Sequence, residues 1–387
     1  MNSVNFMEIE TTDLTQRAPR VVKRQEDGLE TTILEVGDVR EIHLTAQPRP
    51  KEAAGETVSR LMDEVRAHRA SVVWQEIFGS LDLHDEVRRA AGVGGEDGAW
   101  PIIHVEGAGC GEAPLAGMHV LAVAGVSVET IRLGSQPVGR AYADPWSRHV
   151  VLGNIVPEET DRPPAFQARR MFERLEAALR AAGLDMGHVA RTWLFLDDIL
   201  SWYGAFNAVR TEFFQERFVF ERMVPASTGI SGRNPAGAAL MAAAWAVEPR
   251  HGACRLTELS SPHQCAATRY GSSFSRAVEH AVPGARRLWV SGTASIAPDG
   301  RSVRPGDMAG QIDLTMEVIE AILQSRGMGF EDASRVTAYF KDGSQTSPFR
   351  AWLDRRGLDG WPLVCTRADV CRDELLFEVE LDALRAG

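Results

Sequence analysis

Residues 375–381 read LLFEVEL, a run that alternates as a strand does. Strand geometry sets Glu378 and Glu380 on one face and Phe377 and Val379 on the other. A carboxyl group becomes a proton donor near neutral pH only where burial among apolar neighbours keeps it protonated. Strand carboxylates ordinarily line a solvated face, and that is the expectation for Glu380. Cys371 lies in the same segment, either as a small buried thiol or as part of a site. The stretch from Pro225 to Pro235, PASTGISGRNP, offers glycines and hydroxyls that can wrap an anion with backbone N–H groups. It lacks the Lys-Ser/Thr ending of a phosphate loop, and a structural turn is the plainer reading. His104, His119, His149, His188 and His263 show no ligand spacing, so no metal is expected. No GxGxxG follows a strand, so no dinucleotide is expected either, and the cofactor expectation is none.

The elements that must position these groups are legible upstream. Leu288–Ile296 reads as a strand, Pro298-Asp299-Gly300 as a turn, and 308–324 as a helix. Ile312, Met316, Ile319 and Leu323 recur at helical spacing, giving that helix one buried face. Gly327 suits a helix C-cap, and 335–340, rich in Val, Thr, Tyr and Phe, suits a strand. The same order occurs earlier, with a strand at 148–155, a helix at 166–182, a strand at 191–196, a helix at 202–216 and an apolar strand at 239–247. At the offset that brings Arg191 onto Arg335, Gln167 meets Gln311, Glu173 meets Glu317, Gly183 meets Gly327 and Asp198 meets Asp342 without a gap. That is a duplication. A fainter third copy lies ahead of it, with strands at 40–46, 71–78, 100–105 and 118–126 and helices at 56–68 and 83–91. Its Trp100-Pro101 falls where Trp361-Pro362 stands in the last copy. The expected organisation is a loose tail at 1–30, a degenerate unit at 31–126, a second unit at 127–250 and a C-terminal unit at 260–387. A Gly-rich stretch runs from 93 to 98.

Composition sets outer limits. The 387 residues are 44% hydrophobic and 25% charged, as in a soluble multidomain protein. A net charge of −11 argues against nucleic acid or an anionic membrane as partner, while leaving room for an anionic small molecule in a local Arg cluster. Five cysteines without CxxC spacing fit a reducing cytoplasm. No apolar run reaches the length of a membrane span. A monomer or small homo-oligomer is expected.

The strand ending in Ser291-Gly292, the helix after it and the closing Glu378-Val379-Glu380 resemble the RidA/YjgF family. The resemblance implies an α+β fold of tandem RidA/YjgF-like (chorismate mutase-like) units. Each would be a mixed sheet with helices on one face, the three forming an intrachain pseudo-trimer with clefts between units. It also implies that Glu378 lies in such a cleft as catalytic acid. The second unit's closing strand, AALMAAAWAV, has no acid, so its cleft is expected to be inert. Family members that hydrolyse imines use an Arg shortly after a Pro in the preceding strand. Here Pro362-Leu363-Val364-Cys365-Thr366 lacks it, and the nearest is Arg367.

A longer set of segments is similar to the chorismatase branch: Gly139 to Asp144, Pro225 to Ile230, Tyr270 to Ala277, Val290 to Ile296 and Val370 to Glu378. This implies a cofactor-independent lyase or hydrolase of secondary metabolism, releasing pyruvate from chorismate or a close relative. The other product would be a hydroxybenzoate or a dihydrodiol acid. In the branch resembling 3-hydroxybenzoate synthases a Cys at the position of Cys371 favours attack by the ring hydroxyl, and that branch is favoured here. The substrate's two carboxylates call for bidentate arginines, with Arg350, Arg276, Arg140, Arg148 and Arg210 as candidates. Tyr203 and Tyr339 are candidate hydrogen-bond donors, Phe274 an apolar neighbour of Glu378, and Gly229 a backbone contact. The rival readings are an imine or enamine deaminase and a non-catalytic small-ligand binding protein.

Overall fold

The computed structural model describes residues 18–92, 100–110 and 113–387. The Gly-rich stretch at 93–98 and the first 17 residues lie outside these. Three sheets follow one another along the chain. The first contains β1 (Arg20–Glu26), β2 (Leu29–Val36), β3 (Val39–Ala46), β4 (Ser71–Gly79), β5 (Ile102–Glu106) and β6 (Leu115–Ala124), with helices α1 (Ala54–Ala67) and α2 (His84–Ala90). The second contains β7 (Glu129–Leu133), β8 (Gln136–Ala143), β9 (Ser147–Ile155), β10 (Val189–Leu196), β11 (Ala226–Ser231) and β12 (Leu240–Pro249), with α3 (Pro164–Ala181) and α4 (Ile199–Glu216). The third contains β13 (Arg255–Leu259), β14 (Ala277–Val282), β15 (Ala285–Ala294), β16 (Ala333–Phe340), β17 (Leu363–Arg367) and β18 (Phe377–Ala386), with α5 (Met308–Gln324) and α6 (Ser347–Arg356).

The strand order is the same in all three. The first sheet runs β1-β2-β3-β6-β4-β5, and the others repeat it as β7-β8-β9-β12-β10-β11 and β13-β14-β15-β18-β16-β17. In each, one pair is parallel (β4 with β5, β10 with β11, β16 with β17) and the rest are antiparallel. The faint first copy is therefore a full unit. The fold is a tandem of three RidA-like units in one chain. The tail is shorter than the sequence suggested, because β1 starts inside the stretch 1–30 and pairs with β2 along its whole length. Its side chains are mostly exposed, so no hydrophobic alternation marked it. The segment expected to be a turn, Pro225 to Pro235, instead supplies β11, which runs parallel to β10.

Each unit buries its helices on one sheet face. In the third, Ile312, Met316, Ile319 and Leu323 of α5 pack on Leu288, Val290, Val379 and Leu381 of the sheet. The opposite faces of the three sheets meet in a shared core that includes Trp74, Phe78, Trp193, Phe195, Trp245, Trp289 and Tyr339. Strand register identifies equivalent positions. Phe78, Phe195 and Tyr339 stand opposite Gly117, Met241 and Glu378. The Phe78 ring lies 6.2 Å from Phe195 and 5.9 Å from Tyr339, so the first unit's ring touches its equivalents in both other units. By the same register Glu41, His149 and Arg287 are equivalent, opposite Val123, Val247 and Leu384.

Candidate active site

A cavity of about 230 Å³ lies between the second and third units. Helix α4 contributes Tyr203, Asn207 and Arg210, and β11 contributes Ser227 and Gly229. The third unit supplies Ser272, Phe274, Arg276, Gly292, Ala294, Ile296, Cys371, Arg372 and Glu378. A bridge between Ala226 and Ser275 joins the two units beside it.

Glu378 sits near the start of β18, where alternation turns its side chain to the inter-unit face, and is only 5% exposed. Burial, reinforced by the nearby Glu380 charge, pushes its pKa up to about 8, against the opposing pull of Arg191 and Arg276. Glu378 is therefore a carboxylic acid at neutral pH. The Cys371 thiol is pushed up to about 12 by burial and by Glu378. The Tyr203 phenol is likewise pushed up to about 12, by burial and then by Cys371. Three neutral donors thus share the cavity with three guanidinium groups.

The cations are held from behind. Arg276 donates from Nε and an Nη to the Cys265 carbonyl at 3.0 and 2.8 Å. Arg210 donates to Asn207 Oδ1 at 2.6 Å, and Arg372 to the Gly300 carbonyl at 2.8 Å. The Phe274 ring takes the Arg210 guanidinium at 5.8 Å and that of Arg276 at 5.5 Å from its centroid. Gly292 is there for space: a Cβ on it would collide with the Glu378 carboxyl. Its N–H donates to Thr228 Oγ1 at 3.1 Å.

Of the residues singled out in the sequence, the structure gathers Tyr203, Arg210, Gly229, Phe274, Arg276, Cys371 and Glu378 around this cavity. Four others lie elsewhere. Arg350, on α6, lines a different cleft, between the third and first units, with Cys110, Ser347 and Arg367. Helix α6 belongs to the same unit as Glu378 but flanks that unit's other boundary. Arg140 is buried against the first sheet and donates to the Val72 carbonyl. Arg148 donates to the Ala182 carbonyl at 2.6 Å and to Glu129 at 3.0 Å, within its own unit. Tyr339 is buried in the shared core and donates to Glu380 Oε1 at 3.2 Å. Glu380 itself departs from the solvated face expected of it. It is 0% exposed and accepts from Arg191 at 2.6 Å and from Arg335 at 2.6 Å.

Asn207, Ser227, Ser272, Gly292 and Arg372 line the cavity and were not singled out. Ser227, Ser272, Gly292 and Arg372 stand inside quoted motifs, so the signal was present, but nothing in the residue types marked them. The third inter-unit cleft, between the first and second units, is lined by His84, Asp85, Asn234 and Ala238 among others. By strand register the equivalents of Glu378 are Gly117 in the first unit and Met241 in the second, and neither is an acid.

Glu41, Asp144 and His149 bring three possible metal-ligand atoms within 4.8 Å of one another. Their valences are already used. Glu41 takes Arg287, and Trp245 Nε1–H donates to His149 Nδ1 at 3.2 Å. That assigns the ring proton to Nε2, which donates to Asp144 Oδ2 at 3.1 Å. The group fits a neutralised polar core better than a metal centre.

Residues 152–248 match the family model described as Endoribonuclease L-PSP. No curated protein matches the chain by sequence. Among solved structures, a chorismatase superposes with a TM-score of 0.60 at 18% identity, covering 81% of this chain and 93% of its own. The YjgF gene product of E. coli matches at 25% identity over 31% of this chain and 98% of its own, with a TM-score of 0.26. E. coli TdcF with bound serine gives the same identity, coverage and TM-score. Among the described residues no helix is long and apolar enough to cross a membrane. Residues 152–248 thus carry a domain of that family, and the chain as a whole has a fold similar to that of the chorismatase.

Proposed function

We propose that this protein is a chorismatase-like enzyme that releases pyruvate from chorismate or a close relative. One observation carries the reading: a carboxyl group kept protonated near neutral pH faces a small cavity that also holds Arg210, Arg276 and Arg372. The guanidinium groups suit the two carboxylates of an enolpyruvyl-bearing ring acid. Glu378 gives its proton to the terminal methylene carbon of the enol ether, and the electron pair of that double bond forms the new C–H bond. The carbon bonded to the ether oxygen becomes an oxocarbenium centre, beside the now anionic Glu378. Attack there by water gives a hemiketal, which breaks its bond to the ring ether oxygen; that oxygen takes the hemiketal proton, leaving the dihydrodiol acid and pyruvate. Attack by the neighbouring ring hydroxyl gives a cyclic ketal; the bond from that oxygen to its own ring carbon then breaks, the ring loses a proton and becomes aromatic, and collapse of the remaining hemiketal frees pyruvate and the hydroxybenzoate. Glu378 recovers a proton from the attacking hydroxyl, so it is unchanged over the cycle.

Cys371 bears on which nucleophile wins. A neutral, half-buried thiol is a weak hydrogen-bond partner and a poor host for water. Beside Glu378 it favours the intramolecular route and a 3-hydroxybenzoate product. Incubating the protein with chorismate and assaying pyruvate tests the reading. Release by wild type and its loss in Glu378→Gln support it. Absence of pyruvate from wild type, with ammonia released from 2-imino acids instead, overturns it in favour of imine hydrolysis.

A further inference from the structure

Glu380 lines no part of the cavity, yet it is the most elaborately held carboxylate next to it. Arg191 comes from β10 of the second unit and Arg335 from β16 of the third, and both donate to it. Tyr339 adds a third donor. Arg335 also pairs with Glu76 of the first unit, so the network draws on all three. Such a group, with two guanidinium partners and no exposure, stays ionised. Glu76 and Asp382, which share the same arginines, are pushed up to about 7 and about 6 by burial. As pH falls they therefore take up protons before Glu380 does.

Thr228 stands between Glu380 and Glu378. Its hydroxyl accepts from Arg191 at 2.6 Å and from the Gly292 N–H at 3.1 Å. Its own proton is left for Glu380, whose carboxylate it stabilises. Toward the spot above Gly292 that the Glu378 carboxyl occupies it presents its methyl group. Glu378 thus meets a methyl group on that side, with an anion two residues along on the same strand face.

We propose that Glu380 is a positioning residue: locked as an anion by Arg191 and Arg335, it stands behind Glu378 and keeps the Glu378 carboxyl in its proton-bearing form. This rests on the reading of Glu378 as the proton donor. Two features act together. A second negative charge at this distance in a buried site is unfavourable. Arg191, one of the two cations that pull Glu378 toward its anion, already has Glu380 as its counter-ion. The other titratable and charged groups around Glu378 are Arg191, Arg210, Arg276, Arg372, Cys371, Tyr203 and Tyr339. Arg191 and Arg276 pull it toward its anion.

The test is a carboxyl-carbon NMR titration of Glu-labelled protein, with the Glu378 resonance assigned by its loss in Glu378→Gln. In wild type it is expected to titrate near pH 8 while the Glu380 resonance stays ionised. Glu380→Gln lowers the Glu378 midpoint by about one pH unit or more, and Arg191→Gln raises it. Glu380→Asp, which keeps the charge, holds it near the wild-type value. In turnover, Glu380→Gln loses about tenfold in kcat at pH 9 and far less at pH 6, with KM little changed. A merely structural role would lower stability without moving these midpoints in opposite directions. The proposal is overturned if wild-type Glu378 titrates in the ordinary carboxylate range, or if its midpoint is the same in Glu380→Gln. The titration needs no substrate, so failure of pyruvate release alone would overturn the chorismatase reading and leave this one standing.

Discussion

Glu378 lies directly over Gly292, in the space a side chain on residue 292 would fill. The missing Cβ lets a carboxyl lie against backbone instead of reaching water. The consequence is an acid that holds its proton across the physiological range. Glu378→Gln is expected to abolish most pyruvate release, by about 10²–10⁴-fold. In wild type the rate should fall as pH rises past about 8, where the proton is lost. A coupled pyruvate assay from pH 6 to 9.5 checks both.

The same burial has a cost in stability. The folded protein holds the Glu378 proton at pH values where the unfolded chain has released it. Stability contributed at this site therefore falls as pH rises from the ordinary carboxylate range to about 8. Glu378→Gln removes that penalty. Its melting temperature should exceed that of wild type at pH 8 and converge with it at pH 4, read by thermal unfolding at both pH values.

Arg210 and Arg276 are nearly fully buried and aimed at one cavity, whereas Arg350 is exposed on another cleft. Arg210→Lys or Arg276→Lys should raise KM for chorismate by about tenfold or more, because the bidentate fork is lost. Arg350→Ala should leave kcat/KM within about twofold. An equal loss at all three would place the anion site elsewhere.

Cys371→Ala opens room for water beside Glu378. The ratio of products should move from the hydroxybenzoate toward the dihydrodiol acid, with total pyruvate within about threefold. Separating the aromatic and dihydroaromatic acids by liquid chromatography reads the ratio. An unchanged ratio would remove Cys371 from product choice.

On the acid side the histidines dominate. Burial depresses His280 to about 3 and His104 to about 4. Each stays neutral in the fold while its unfolded counterpart gains a proton below the ordinary histidine range. The contribution of these two sites to stability is therefore full above about pH 6.5 and is lost progressively as pH falls toward those values. Denaturant midpoints should drop between pH 6.5 and 4, and less so in His280→Gln.

The helices and central strands were readable because their apolar residues keep one period, as in α5. The hairpins β1-β2, β7-β8 and β13-β14 were not, since their outer strands are largely exposed and carry no such period. At the site, Glu378 and Cys371 came from a contiguous motif. Arg350 misled because a linear motif does not say which of two boundaries a helix flanks. Glu380 misled because its cations, Arg191 and Arg335, are distant in sequence and meet only when the units pack together. Both arginines anchor the repeat in the sequence, but nothing in their spacing pairs their charge with Glu380.

The three equivalent positions hold a Glu, a His and an Arg, and Arg287 neutralises Glu41 across the junction. Free copies of any one unit, assembling by themselves, would confront three identical side chains at that point: three carboxylates, three imidazoles or three guanidinium groups, deprived of solvent. Within one polypeptide that constraint is absent, and each of the three side chains complements its two neighbours. A severed unit should therefore be unable to rebuild a symmetric ring, and the differentiation of the clefts is, to that extent, irreversible.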